Sequence, residues 1–129
     1  MRSTLSLLTK AYRVSSGAPT GLTGIFTHPA PLPALMSVYS QTLVELGKFP
    51  ADSVYRQSVE NLTRHRMAIV EKGGVNEVIE KQIGAGLIEE ILIQAGEELS
   101  LTRKMLEWKP WEPLEEQPPE TVWQYFDRK

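Results

Sequence analysis

The sequence predicts an all-α protein: a bundle of three main helices with one short extra helix and extended N- and C-terminal arms. Apolar residues recur at helical spacing in three long segments, and glycines and prolines mark the ends of those segments. No segment has the alternation and turn signals of a strand with a pairing partner. The predicted helices are residues 32–46, 52–72 and 87–108, with the short helix at 75–83. The predicted division is therefore an arm at 1–31, a bundle at 32–108 and an arm at 109–129.

The first helix has clear signals at both ends. Pro31 and Pro33 suit the opening of a helix, because proline lacks an N–H that the first turn would leave unpaired. Gly47 stands where a left-handed cap is expected, and Pro50 blocks continuation. Its apolar stripe comprises Leu32, Leu35, Met36, Tyr39, Leu43 and Leu46.

The second helix is predicted to begin at Asp52, whose carboxylate can accept from exposed backbone N–H groups. Gly73 and Gly74 end it, and the short helix 75–83 follows. Its buried face comprises Tyr55, Val59, Leu62, Ile69 and Val70.

The longest helix, 87–108, organises the chain. Its glutamates lie toward the start, and Arg103 and Lys104 lie toward the end, which is the order that the helix macrodipole favours. Gly96 in its middle costs about 1 kcal/mol against alanine, so either a neighbouring helix approaches closely there or the helix has a flexible joint. The aligned apolar positions are Ile88, Leu92, Ala95, Leu99, Thr102 and Leu106.

A Trp-Pro segment, residues 108–114 and called the hook below, follows this helix. Its prolines stiffen the chain, and a tryptophan beyond regular structure suits an interface anchor or a contact between segments. Trp108 has a second interpretation as a core residue, because it continues the helical face. The candidates for partner contact are Trp108, Pro110, Trp111, Pro113, Leu114, Trp123, Phe126, Leu22 and Phe26.

The N-terminal segment has an unusual charge distribution. No acidic residue precedes Glu45, so the first 44 residues carry +3 and the remainder carries −5. Acid-free, Ser/Thr-rich and Arg-bearing sequence is typical of a mitochondrial targeting segment. An ordinary polar tail that happens to lack acids is the alternative.

The composition argues against most catalytic chemistry. The chain has no cysteine, which excludes disulfides, thiolate metal sites and thiol catalysis, and its net charge of −2 gives no basis for nucleic-acid capture. No apolar run approaches the roughly 20 residues of a membrane span. The sequence places no second His or carboxylate at a metal-ligand spacing such as HExxH from His28 or His65, and it contains no phosphate-binding loop motif. No catalytic, cofactor-binding or metal-binding residue is predicted.

The clusters of charged residues do not require a catalytic site to explain them. The glutamate pairs 89/90, 97/98 and 115/116 are read as solvated, because they do not converge on one cleft. Arg64, His65 and Arg66 with Lys72 form a basic patch, either for a phosphate or an acidic protein surface or simply solvated.

The run ELSLTRKMLEWKPWEPL at 98–114, preceded by GLIEEILIQAGEE, resembles the alpha-subcomplex subunit 5 family of mitochondrial respiratory complex I (NADH:ubiquinone oxidoreductase). The TGLTG segment at 20–24 and Pro50 with Tyr55-Arg56 match the same family. The resemblance covers about residues 20–119, so it lends no support to the targeting interpretation of the N-terminus.

The resemblance implies a non-catalytic accessory subunit of the respiratory chain, without a cofactor, that supports assembly and stability of the peripheral arm near the ubiquinone module. It implies a location at the mitochondrial inner membrane, peripheral on the matrix side, without a membrane span and without nucleic acid. The implied neighbours are peripheral-arm subunits, chiefly the 30-kDa core iron–sulfur protein subunit. A helical protein-interaction adaptor outside complex I is the main alternative, and a small-molecule enzyme is the third.

Overall fold

The structure is a computed structural model that describes residues 12–14, 16–120 and 122. Within them the chain forms four α-helices: α1 (Pro31–Leu46), α2 (Val54–Glu71), α3 (Asn76–Ile83) and α4 (Ile88–Trp108). The predicted all-α class is confirmed, and each helix begins and ends within two residues of its predicted bounds.

Helix α1 is the centre of the bundle. It packs along α4 on one side and along α2 on the other, while α3 contacts the adjoining ends of α2 and α4. The main core lies between α1 and α4, where Leu35, Ile91 and Leu92 are fully buried. Buried threonines on these helices donate to the carbonyl four residues earlier, as Thr42 does to Val38 O at 2.9 Å, so their hydroxyls are satisfied.

A second apolar cluster closes one end of the bundle. Leu46 at the end of α1, Phe49 in the following turn and Val59 of α2 are buried together. Met105 and Leu106 near the end of α4 pack against them. The C-terminal end of α4 is therefore held to the start of α2 by this cluster.

Two predicted helix caps are wrong. Ser53, not Asp52, precedes α2, because Ser53 N donates to Pro50 O at 3.2 Å and the resulting turn leaves Asp52 exposed. Gly47 is right-handed, with φ of −59°, because the chain continues in a tight turn that carries Phe49 into the second cluster. The left-handed caps are instead Gly84, with φ of 69°, and Lys109, with φ of 51°.

The predicted solvation of the glutamate pairs is wrong at Glu89, Glu90 and Glu98, whereas Glu97, Glu115 and Glu116 are exposed as predicted. Glu90 accepts from Leu87 N at 2.9 Å, and Glu80 of α3 accepts from Ile88 N at 2.8 Å. These carboxylates satisfy N–H groups at the start of α4, where the helix dipole also favours negative charge. Glu89 is buried. No basic residue lies in the last turn of α4, because Arg103 and Lys104 stand one turn earlier.

Candidate interaction surface

The hook begins with a left-handed residue. Lys109 N donates to Met105 O at 3.0 Å, which closes α4, and Glu112 N donates to Lys109 O at 3.1 Å. A residue before proline is disfavoured in the helical region, so Lys109 cannot continue α4 ahead of Pro110. A left-handed lysine is strained by comparison with glycine, and it turns the chain sharply back toward the bundle.

The two tryptophans of the hook have opposite environments. Trp111 is half-buried and its ring lies edge-on to Phe49, with centroids 5.2 Å apart and planes at 69°. Trp108 is 64% exposed, which rules out the core interpretation of that side chain. Trp111 therefore fastens the hook to the bundle, and Trp108 projects from it.

The remaining hook residues extend the exposed surface. Leu114 is 66% exposed, and Pro110 and Pro113 are exposed as well. A large exposed tryptophan near an exposed leucine on a stiffened chain is typical of a protein contact surface. Trp123 and Phe126, which the sequence also nominated, lie outside the described residues.

The N-terminal arm folds back on itself between Ala18 and Thr27. Thr27 N donates to Ala18 O at 2.8 Å, and Thr20 Oγ1 donates to Ile25 O at 2.9 Å, so that Pro19 and Phe26 form an isolated antiparallel bridge. The predicted arm is thus a closed loop in this part. Leu22 is exposed in the loop.

This loop lies against the first half of α4. Phe26 is half-buried and lines a small crevice with Leu92 and Ile93. His28 N donates to the buried Glu89 at 3.4 Å, and the ring of Tyr12 lies directly against Gly96. The close approach that Gly96 predicts is real, but the group that approaches is an aromatic ring from the arm and not a neighbouring helix.

The candidate residues therefore form two surfaces and not one. The arm contacts α4 as far as Gly96, and the hook begins at Trp108, roughly 18 Å farther along the helix axis. Leu22 lies on the first surface, whereas Trp108 and Leu114 lie on the second. Phe26 and Trp111 attach these two segments to the bundle.

A polar junction joins α2 to α4 beside the second cluster. Tyr55 donates to Glu98 Oε1 at 2.7 Å, and its oxygen is 3.2 Å from Thr102 Oγ1. Burial raises the pKa of Tyr55 to about 12, while the Thr102 hydroxyl opposes the rise and the Glu98 carboxylate adds to it. The phenol therefore stays protonated and remains a donor.

The predicted basic patch is divided. Arg64 forms an ion pair with Glu60 one turn earlier on α2, and His65 is exposed. Arg66 points to the other side of the helix, toward Tyr39 of α1. The three side chains therefore do not present one continuous cationic surface.

Sequence reasoning missed several residues that position these surfaces. Phe49, an aromatic residue in the connection after α1, holds both Tyr55 and Trp111, with ring centroids 5.6 and 5.2 Å away. Tyr12 was not among the candidate contact residues, because it lies in the segment that the charge distribution marks as targeting-like. The glycine at 96 was the one available signal for its contact with α4.

In residues 12–14, 16–120 and 122, no three His, Asp or Glu side chains converge as metal ligands would. None of the helices found there is long and apolar enough to cross a bilayer.

The chain is similar to known proteins over most of its length. A family model described as the ETC complex I subunit conserved region matches residues 24–90. The chain is similar to NADH dehydrogenase (ubiquinone) 1 alpha subcomplex subunit MCI4 of Candida albicans, with 54% identity over 118 residues, covering 91% of this chain and 85% of the relative. A match of this length includes the folded-back arm, the bundle and the hook.

More distant relatives have the same description. Subunit 5 of the same alpha subcomplex from Bos taurus is 39% identical over 106 residues, covering 82% of this chain and 91% of the relative. A probable mitochondrial subunit 5 from Arabidopsis thaliana is 40% identical over 92 residues, covering 71% of this chain and 54% of the relative. The resemblance seen in the hook sequence is confirmed: this chain belongs to the alpha subcomplex subunit 5 family of respiratory complex I.

Proposed function

We propose that this chain is a non-catalytic accessory subunit of mitochondrial complex I that supports assembly and stability of the matrix-facing peripheral arm. The observation that carries this proposal is the 54% identity to a complex I alpha subcomplex subunit over a length that includes both candidate surfaces. The proposed location is the inner membrane, peripheral on the matrix side, next to the ubiquinone module. The 30-kDa core iron–sulfur protein subunit is the proposed principal neighbour.

The geometry supports different roles for the bundle and for the two arms. The helical bundle, residues 32–108, supplies a folded body, and the arms at 1–31 and 109–129 supply contacts. Trp108 and Leu114 project from the hook while Trp111 anchors it, so that the exposed pair is held in a defined position before any partner binds. Preorganised aromatic anchors lose little side-chain entropy on binding, which favours attachment through this surface.

Native-gel analysis of mitochondria that express the tagged full-length chain tests the proposal. The chain should migrate with complex I and with the 30-kDa subunit. Recovery only as a free monomer, or in a complex that lacks complex I subunits, would contradict the proposed function. The second outcome is the one that a helical adaptor outside complex I predicts.

A paired variant tests the role of the hook. Trp108→Ala should lower the fraction incorporated into complex I about tenfold, as loss of an interface anchor commonly does. Val44→Ala is the matched control, because Val44 is also a largely exposed apolar residue but belongs to α1 and not to the hook. Equal incorporation of the two variants at equal expression would remove Trp108 from the attachment surface.

A further inference from the structure

The N-terminal arm reaches α4 at two places. His28 N donates to the carboxylate of the buried Glu89 at 3.4 Å. The ring of Tyr12 lies directly against Gly96, about 10 Å farther along the helix axis. Between these two contacts, residues 18–27 close on themselves through backbone hydrogen bonds. The closed loop is therefore held against α4 on both sides.

The Tyr12 end of the arm is built into the folded body. Tyr12 is half-buried and packs against the main core. Tyr12 and Val14 line a crevice whose other walls include Phe26 of the loop and Leu92 of α4. A Cβ at Gly96 would overlap the Tyr12 ring, so the two positions fit one another only because residue 96 is glycine. The contact therefore agrees with the sequence, in which a residue that disfavours helix stands at this one point of α4.

The same end of the arm belongs to the targeting-like pattern of the sequence. Apolar residues recur there at three- to four-residue steps, as on one face of a helix: Met1, Leu5, Leu8 and Tyr12. Basic residues accompany this face as far as Arg13, and no acidic residue interrupts it. By its pattern alone, a targeting segment would end after Arg13. The targeting pattern and the fold therefore overlap at residues 12 and 13.

Removal of the whole pattern would take a contact away from the fold. A cut after Arg13 would leave Gly96 without the ring that covers it, and α4 would keep an unfavourable glycine without the contact that offsets its cost. The closed loop would also lose its support on one side. A cut before Tyr12 leaves every contact of the described part of the arm in place. The two cuts therefore have different consequences for stability.

We propose that the mature subunit retains Tyr12 as part of its fold, so that proteolytic processing on import acts only on the peptide bonds before this residue. The proposal rests on the proposed function, since such processing requires import into the matrix. Tyr12 then has two successive roles, first on the apolar face of the targeting segment and afterwards as the cover of Gly96. Arg13, which is exposed, stays in the chain with it.

N-terminal mapping of the assembled chain tests the proposal. The full-length chain with a C-terminal tag would be expressed in mitochondria, and complex I would be isolated on a native gel. Labelling of the α-amine, digestion and mass spectrometry then identify the first residue of the tagged chain. The proposal expects a first residue at or before Tyr12. A first residue at Arg13 or later in most of the assembled chain would overturn it.

The same gel separates this proposal from the proposed function. A tagged chain that migrates with complex I but begins after Tyr12 overturns only the proposal about processing. A tagged chain that is recovered from the matrix without complex I contradicts the proposed function, and its first residue still decides the proposal by the same criterion. A chain that does not enter mitochondria overturns both.

Two variants of the isolated full-length chain test the physical basis of the proposal. Tyr12→Ala removes the ring that covers Gly96, so the midpoint of urea unfolding should fall. Arg13→Ala is the matched control, because Arg13 is the next residue and is exposed, and its midpoint should equal that of the wild-type chain. Equal midpoints for the two variants would overturn the proposal, since the fold would then have no need of Tyr12.

Discussion

At the scale of single residues, Gly96 shows why a costly residue stands in the middle of a helix. A Cβ built at this position would overlap the ring of Tyr12, so only glycine lets the arm lie flat on α4. The helix forgoes about 1 kcal/mol of propensity relative to alanine, and the contact with the arm offsets that cost. The glycine therefore serves attachment of the arm, and neither flexibility nor helix–helix contact explains it.

We predict that Gly96→Ala displaces the arm. In the otherwise wild-type chain the gain in helix propensity should be cancelled or reversed by the overlap with Tyr12, and trypsin should cut faster after the exposed Arg13. With Tyr12→Ala already present, Gly96→Ala should stabilise the chain by up to about 1 kcal/mol. Urea unfolding of the four chains in this double-mutant cycle measures the coupling. Equal effects of Gly96→Ala in both backgrounds would show that the two residues do not interact.

A second prediction concerns Tyr55 and the pH dependence of the free energy of unfolding. Its folded-state pKa is raised from 10.0 to about 12, mainly by burial, so folding favours the protonated phenol. The corresponding stabilisation is fully present below pH 10 and is lost as the pH rises through 12. Tyr55→Phe keeps the ring but lacks the titrating group.

The free energy of unfolding should therefore fall more steeply between pH 10 and 12 for the wild-type chain than for Tyr55→Phe. Urea titrations across that interval measure the difference in slope. Tyr39, whose pKa burial also raises, is present in both chains and cancels from the comparison. Parallel pH profiles would mean that Tyr55 ionises equally easily in the folded and unfolded chains.

At the scale of the element, α4 is a helix of 21 residues whose two ends are held to the rest of the fold by different kinds of contact. Its start is capped by carboxylates, including Glu80 from α3, and its middle is covered by the arm. Its end is closed by the left-handed Lys109, after which Trp111 returns to Phe49. The hook is thus part of the folded body through Trp111 and part of the exposed surface through Trp108.

We predict that Trp111→Ala separates helix formation from tertiary stability. The helix content of the isolated chain should stay nearly unchanged, because Trp111 lies outside α4. The free energy of unfolding should fall by about 2 kcal/mol, roughly half the cost of removing a fully buried tryptophan. Incorporation into complex I should also fall, since the hook loses its fixed position. Far-UV circular dichroism, urea unfolding and native gels measure the three quantities.

Trp108→Ala is the natural comparison for this variant. Trp108 is mostly exposed, so its removal should leave the free energy of unfolding within about 0.5 kcal/mol of wild type. If Trp111→Ala were no less stable than Trp108→Ala, the ring contact with Phe49 would not contribute to folding.

At the scale of the whole molecule, two apolar clusters share the same helices. The main core and the second cluster both draw on α1, α2 and α4, and Tyr39 of the first stands two turns before Leu46 of the second on α1. Neither cluster can open without releasing a helix that the other requires. Small bundles with a shared core of this kind unfold in one step.

We therefore predict a single unfolding transition. In a chain that keeps Trp111 and carries Trp108→Phe and Trp123→Phe, tryptophan fluorescence reports on the second cluster alone. Its midpoint in urea should coincide with that of far-UV circular dichroism. A fluorescence midpoint at clearly lower urea would show that the second cluster opens separately.

Local rules accounted for most of the helices. Apolar spacing placed α1 through α4, and Pro50, Gly73 and Gly74 marked breaks that the structure retains. The errors concern groups whose state depends on residues far away in the chain. Gly47 is right-handed because Phe49 must reach Val59, and Glu89 is buried because the arm lies over it. Neither distant contact leaves a periodic signal in the sequence.

The amino-acid sequence by itself determined the helical class, the order and length of the helices, and the family, because periodicity, breakers and the hook motif are all local patterns. Only the tertiary structure decided which side chains of the arm, the hook and the charged positions are exposed and which residues they contact. It half-buried Trp111 against Phe49 and exposed Trp108, placed Tyr12 on Gly96, and divided Arg64 from Arg66. These outcomes depend on how the helices diverge around α1, and that packing arises from contacts between residues far apart in the chain.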